Sequence, residues 1–247
     1  MSKIALNPPI KNKKQLLILI SVFLAVQLVF VWCMYHVRFS LFSYICILTS
    51  CLFCAVLSDG SQSALFTQIG LLGTVGADFF LVLLPDQQRV PGMCFFCVTQ
   101  IAYFLRIYTE DGNPKRKRVH LILRTSLSAV LVAATFLVLG SRVDAVAVLS
   151  LFYYANLFCN VLFSLLHFRK SRILALALLS FLLSDTLLGL SCLRDYFLIP
   201  RGSLLWAVIA FGSDIFYPLY IISQISVPLS LASRKGKQIQ RLAKNQK

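Results

Sequence analysis

Long apolar stretches, each the length of a membrane crossing and parted by short polar breaks, constrain this chain most. They lie at 16–35, 41–57, 64–84, 91–109, 119–139, 144–166, 171–192 and 203–231. A hydrocarbon core of about 30 Å needs about 20 helical residues to cross it. Inside lipid every backbone polar group must be satisfied within the segment, so such runs fold as helices. The expectation is an all-α, polytopic membrane bundle of eight transmembrane helices. Composition agrees: 58% of residues are apolar, 13% are charged and mean hydropathy is +0.80. A water-soluble globule carries about 25% charged residues, and a disordered chain needs low hydrophobicity. Both are excluded. The faintest division falls between the fifth and sixth runs, where only Gly140, Ser141, Arg142 and Asp144 mark a turn.

The formal charge is +15. In a soluble protein that excess would suggest nucleic acid. Here the cations sit in the breaks, which points to the membrane surface and to no nucleic-acid partner. Lys3, Lys11, Lys13 and Lys14 precede the first run, and Lys115, Arg116, Lys117 and Arg118, flanked by Arg106 and Arg124, fill the fourth break. Arg169, Lys170 and Arg172 lie in the sixth. Arg234, Lys235, Lys237, Arg241, Lys244 and Lys247 follow the last. Arg38, Arg89, Arg142, Arg194 and Arg201 fall on the alternate side, so 19 of the 24 basic residues share one side. By the positive-inside rule both termini are cytoplasmic. The expected organisation is a cytoplasmic tail over 1–15, an eight-helix domain over 16–231 and a basic cytoplasmic tail over 232–247. The first run is too long for a signal peptide and lacks a small-residue cleavage site. The expected location is an integral multi-pass position, in the cell membrane if the source is bacterial. No loop is long enough for a soluble domain, so any chemistry belongs inside the bundle.

Eight cysteines lie in or beside these runs. Cys51/Cys54 and Cys94/Cys97 have CxxC spacing, but the two pairs differ in depth by about 10 Å. They read as small hydrophobes, with no metal site.

Acidic residues inside the runs are more telling. An Asp at a helix centre costs roughly 2.5–3.5 kcal/mol on insertion scales. Asp78 and Asp185 fall just past the midpoints of outward-running runs and Asp214 just before the midpoint of an inward-running one, each within about 6 Å on the outer side. Gln100 and Tyr103 lie mid-run in the fourth helix, Tyr153, Asn156 and Asn160 form a stripe on the sixth, and Asp214, Tyr217, Tyr220, Ser223 and Gln224 lie on the eighth. Such a layer implies a polar cavity, although Asn, Gln and Tyr also serve as interhelical glue. Gly70, Gly73 and Gly76 precede Asp78 at three-residue intervals and predict a close helix approach, with Ser180 and Ser184 in a similar place before Asp185. Asp144 reads as a helix N-terminal charge. A short echo is also visible: Asp78 and Asp185 fall in the third helices of two four-helix halves, and Thr99-Gln100-Ile101-Ala102-Tyr103 resembles Ser213-Asp214-Ile215-Phe216-Tyr217. A repeat with an even number of spans would be parallel.

Several of these segments resemble one family. Gly-Leu-Leu-Gly-Thr-Val-Gly-Ala-Asp-Phe-Phe-Leu (70–81), Pro91-Gly92-Met93 with Gln100 and Tyr103, Leu183-Ser184-Asp185-Thr186-Leu187-Leu188, and Tyr220-Ile221-Ile222-Ser223-Gln224 resemble motifs of the YhhN-like lysoplasmalogenases. The likeness covers about 64–231. Ala77 replaces a usual Gly, and Gln100 stands where the family usually has His; Gln can hydrogen-bond a headgroup but cannot titrate. The resemblance implies hydrolysis of the vinyl ether bond of lysoplasmalogens, giving a fatty aldehyde and a glycerophospho-ethanolamine or -choline. It implies Asp78 and Asp185 as the catalytic pair, with Gln100, Tyr103, Tyr220 and Gln224 around a lysophospholipid substrate in the bilayer; the polar layer adds Asn156 and Asp214 as candidate substrate contacts. No cofactor and no metal are called for. A proton- or cation-coupled transporter with midplane carboxylates remains the alternative. The sequence leaves the oligomeric state open.

Overall fold

The computed structural model describes residues 12–84, 86, 88–166 and 171–245, apart from the side chains of Ser213 and 242–245. Of the cations counted above, Lys3, Lys11, Arg169, Lys170, Lys247 and the side chain of Lys244 lie outside the described residues.

The described residues form eight long helices: α1 (Lys13–His36), α2 (Phe39–Leu57), α3 (Gln62–Asp78), α4 (Arg89–Glu110), α5 (Pro114–Leu139), α6 (Ala145–Leu166), α7 (Arg172–Cys192) and α8 (Leu204–Asn245). All eight contain stretches long and apolar enough to cross a membrane. Their starts are set by local chemistry. Asn12, Ser61 and Asn113 accept hydrogen bonds from backbone N–H groups in the first turns of α1, α3 and α5, and Pro114 needs no such bond at the head of α5. Asp144 accepts from the Ala147 N–H at 2.7 Å and caps α6. The faint α5/α6 division is a real turn: Gly140, at φ +54°, ends α5, and a 3₁₀ turn Gly140–Arg142 leads to that cap.

The bundle is inverted relative to a soluble protein. Large apolar side chains such as Leu28, Val130 and Leu137 face outward on α1 and α5, where lipid would cover them. Six helices close a ring in the order α2, α3, α4, α6, α7, α8 and back to α2. α1 stands outside against α2 and α8, and α5 stands outside against α6. The neighbours α1–α2, α2–α3 and α3–α4 correspond to α5–α6, α6–α7 and α7–α8, and the halves close through α2–α8 and α4–α6. The short sequence echo thus has a counterpart in helix order, with α3 and α7 in equivalent positions.

The glycine spacing on α3 does what it predicts. A Cβ on Gly70 would lie 2.4 Å from the Tyr103 ring, one on Gly73 2.5 Å from Thr99 Oγ1 and one on Gly76 2.6 Å from Phe95. Thr99 Oγ1 donates to the Gly70 carbonyl at 3.1 Å across this contact. In the equivalent place Ser184 Oγ donates to the Phe216 carbonyl at 2.7 Å and joins α7 to α8.

α8 continues past 231, through Asn245, so most of the segment read as a basic tail extends the last helix. Leu16 approaches Gly236, which places the start of α1 beside the end of α8. Arg234 binds Glu110 at 2.6 Å, and Lys235 donates to the Leu57 carbonyl at 3.2 Å. These contacts tie down the end of the bundle where α1 begins and α8 ends.

Candidate functional site

Asp78 is the last α-helical residue of α3 and is 2% exposed. The next five residues, Phe79–Leu83, form a π-helical turn. Such a turn widens a helix locally and recurs at functional sites. Nothing in the sequence marks it. The Tyr220 hydroxyl, reaching across from α8, lies 2.9 Å from each carboxylate oxygen of Asp78 and donates to this pair. Tyr44 on α2 and Tyr217 on α8 also lie within electrostatic reach of Asp78.

Asp185, half-buried on α7, is held in a matching way: the Tyr153 hydroxyl on α6 donates to its Oδ2. Each carboxylate thus has a tyrosine donor on a neighbouring helix. Asp185 also lies within electrostatic reach of Asp78. A chain of rings runs between the two sites: Tyr153 lies 6.4 Å from Phe181, and Phe181 lies 5.6 Å from Tyr220, centroid to centroid. Phe96 on α4 closes this cluster at 5.4 Å from Tyr153. The result is two carboxylates in an aromatic interior, each with one oriented hydroxyl.

The remaining polar residues do not form one ring with them. Gln100 and Asn156 belong to a second cluster, centred on Arg124 of α5. Arg124 Nη1 donates to Asn156 Oδ1 and Nη2 to Asn160 Oδ1. Asn160 Nδ2 in turn donates to Gln100 Oε1 and to the Gln100 carbonyl, both at 2.9 Å. Asn156 Nδ2 donates to the Phe152 carbonyl at 2.7 Å. Arg124 and Arg106, expected from the sequence to flank a basic loop as surface cations, instead face into the bundle. Both are buried, and Arg106 donates to Thr67 Oγ1 at 2.9 Å and sits 3.6 Å from Glu110. Each is adjacent in sequence to a basic break, which hid it.

Tyr103 is buried against Gly70 at the α3–α4 contact. Gln224 lies one turn beyond Tyr220 and donates to Ser223 Oγ at 3.1 Å. Asp214 is exposed on α8 and joins neither cluster. The matched depth that grouped it with Asp78 and Asp185 says nothing about which way a side chain faces. All eight cysteines are free thiols. Among the described residues no group of three His, Cys, Asp or Glu side chains is arranged to hold a metal.

The profile of the YhhN family matches residues 39–231, most of the chain, from the start of α2 into α8. This protein belongs to the YhhN family. No curated protein matches it, and no solved structure does. As a YhhN protein it carries both Asp78 and Asp185 within the matched region, on the equivalent helices α3 and α7.

Proposed function

We propose that this YhhN protein is a membrane-embedded hydrolase that cleaves the vinyl ether bond of lysoplasmalogens with Asp78 and Asp185. The observation that carries the reading is the pair of intramembrane carboxylates on equivalent helices, each held by a tyrosine hydroxyl and linked through one aromatic cluster.

The chemistry follows from the bond. One carboxylic acid protonates the β-carbon of the vinyl ether, and the double-bond electrons shift to give an oxocarbenium ion. The second carboxylate stabilises that cation and takes a proton from the water that attacks it. The resulting hemiacetal collapses to a fatty aldehyde and a free glycerol hydroxyl as the second carboxyl group protonates the leaving oxygen and the hemiacetal O–H proton returns to the first carboxylate. The division of labour matches glycoside hydrolysis, where paired carboxyl groups flank an oxocarbenium-like transition state. Tyr220 and Tyr153 orient the carboxylates and donate to their charged forms. Family membership and the membrane-bundle fold support the reading. The apolar rings beside the carboxylates suit a substrate with a single long tail.

The test is release of fatty aldehyde from a lysoplasmenyl lipid by the purified protein in detergent or nanodiscs. Aldehyde release that disappears in Asp78→Asn and Asp185→Asn supports the assignment. A wild-type protein that releases none, but moves protons or cations across a vesicle membrane, would replace the hydrolase with a transporter.

A further inference from the structure

Arg124 is 7% exposed, ten residues and about 15 Å along α5 from its start at Pro114. A guanidinium at that depth is costly, and such groups mark ligand or ion pathways unless a carboxylate neutralises them. Among the described residues no carboxylate pairs with Arg124. Its partners are the carbonyl oxygens of Asn156 and Asn160 and the face of the Phe104 ring, 4.2 Å from the guanidinium carbon, and the Cys159 thiol lies within electrostatic reach. Two buried N–H groups here have no acceptor, Arg124 Nε and Gln100 Nε2. Asn160 bridges their side chains, so these donors belong to one cluster. A net positive charge, with two unused donors and no acidic partner, fits an anion.

We propose that Arg124, Gln100 and the two asparagines form a phosphate-binding site within the bundle, which takes the phosphate of a lysophospholipid headgroup. The headgroup assignment rests on the hydrolase reading; the anion site itself does not. The placement suits both. Tyr153, which holds Asp185, lies on the same stripe of α6 as Asn156 and Asn160, about 4.5 and 10 Å away along the helix. In a lysophospholipid the three glycerol carbons separate the ether oxygen from the phosphate. The proposal places the ether bond at the carboxylates and the phosphate, beyond the three glycerol carbons, at Arg124. Gln100, which stands where the resemblance expects His, then serves as a hydrogen-bond donor to the anion.

The test is binding to the full-length protein in nanodiscs, with a saturated alkyl-ether lysophospholipid that cannot undergo vinyl ether hydrolysis. The comparison ligands are the matching alkylglycerol without phosphate, and inorganic phosphate alone. Wild type should bind the phosphorylated lipid at least tenfold more tightly than the alkylglycerol, on the scale of one charge-assisted hydrogen bond. Arg124→Gln should lose that preference and Asp185→Asn should keep it. Stabilisation of wild type but not Arg124→Gln by inorganic phosphate, with no gain from the lipid, would keep the anion site and assign it to free phosphate. If Arg124→Gln does not fold, Gln100→Met removes one donor at nearly constant volume and should cut the preference several-fold. Equal binding of both lipids by wild type with no response to phosphate would overturn the site. So would an undiminished preference in folded Arg124→Gln or, if that variant does not fold, in Gln100→Met. Because the probe is not hydrolysed, absent aldehyde release with an intact phosphate preference would defeat the hydrolase reading alone.

Discussion

Two polar clusters share this apolar bundle, and they are built on opposite plans. Around Asp78 and Asp185 the groups are acidic, the partners are tyrosine hydroxyls and the setting is aromatic. Around Arg124 the charge is positive and the hydrogen-bonding partners are carboxamides. Each carboxylate is satisfied by one tyrosine donor, and the two tyrosines are joined through the Phe181 ring. The cation is held in place while two donors in its cluster are left over. The first arrangement suits proton transfer, and the second suits recognition of a charge brought from outside. A buried ionic group in a membrane is tolerated only where it is partnered or used, and the two clusters meet that condition differently.

That contrast can be broken or sharpened by mutation. The largest expected effect is at the carboxylates. Asp185→Asn and Asp78→Asn should each lower aldehyde release at least about a hundredfold, the scale of general acid–base catalysis. The double variant should lose little more, because groups that act as a unit are not additive. Near-wild-type turnover in either folded single variant would remove that carboxylate from the mechanism.

Next come the groups that serve each cluster. Tyr220→Phe and Tyr153→Phe each delete one donor to a carboxylate and should slow turnover about tenfold with KM little changed. Arg124→Gln should do the reverse, raising KM about tenfold with a smaller change in kcat. If both kinds of variant moved kcat and KM alike, the division into a chemical and a recognition cluster would fail.

Packing gives a smaller effect, read in stability. Gly70→Ala would drive a methyl group into the Tyr103 ring, 2.4 Å away before relaxation. Overpacking of this kind costs about 1–3 kcal/mol and should lower the thermal midpoint in detergent. An unchanged midpoint would show that the α3–α4 contact yields easily. The smallest effect should come from Asp214→Asn: that side chain is exposed and outside both clusters, so turnover should stay within about threefold of wild type. A loss comparable to that of Asp185→Asn would bring Asp214 back into the site.

The eight helices were legible in the sequence because their cause is local. A run of apolar residues of membrane length has one stable state in lipid, and Asn12, Ser61, Asn113, Gly140 and Asp144 place helix ends through their own backbone preferences. Asp78 and Asp185 stood out for the same reason, since a carboxylate in such a run carries a cost visible without neighbours. The α3 glycines announced a close approach, although not that α4 would be the partner.

The rest was decided between helices. Depth along a run is a one-dimensional quantity, so Asp214 matched Asp78 and Asp185 on paper while facing outward in space. Arg124 and Arg106 lie next to the basic breaks, and only packing turned their side chains into the bundle. The pairing of Asp78 with Tyr220, 142 positions away, depends on α3 meeting α8 across the ring. Hydropathy has almost no directional content in a helix bathed by lipid, because the apolar face and the packed face have the same composition. The sequence by itself determined how many helices cross and which residues are expensive there. Which of those residues meet was settled by tertiary structure, through close packing and the need of each buried polar group for a partner.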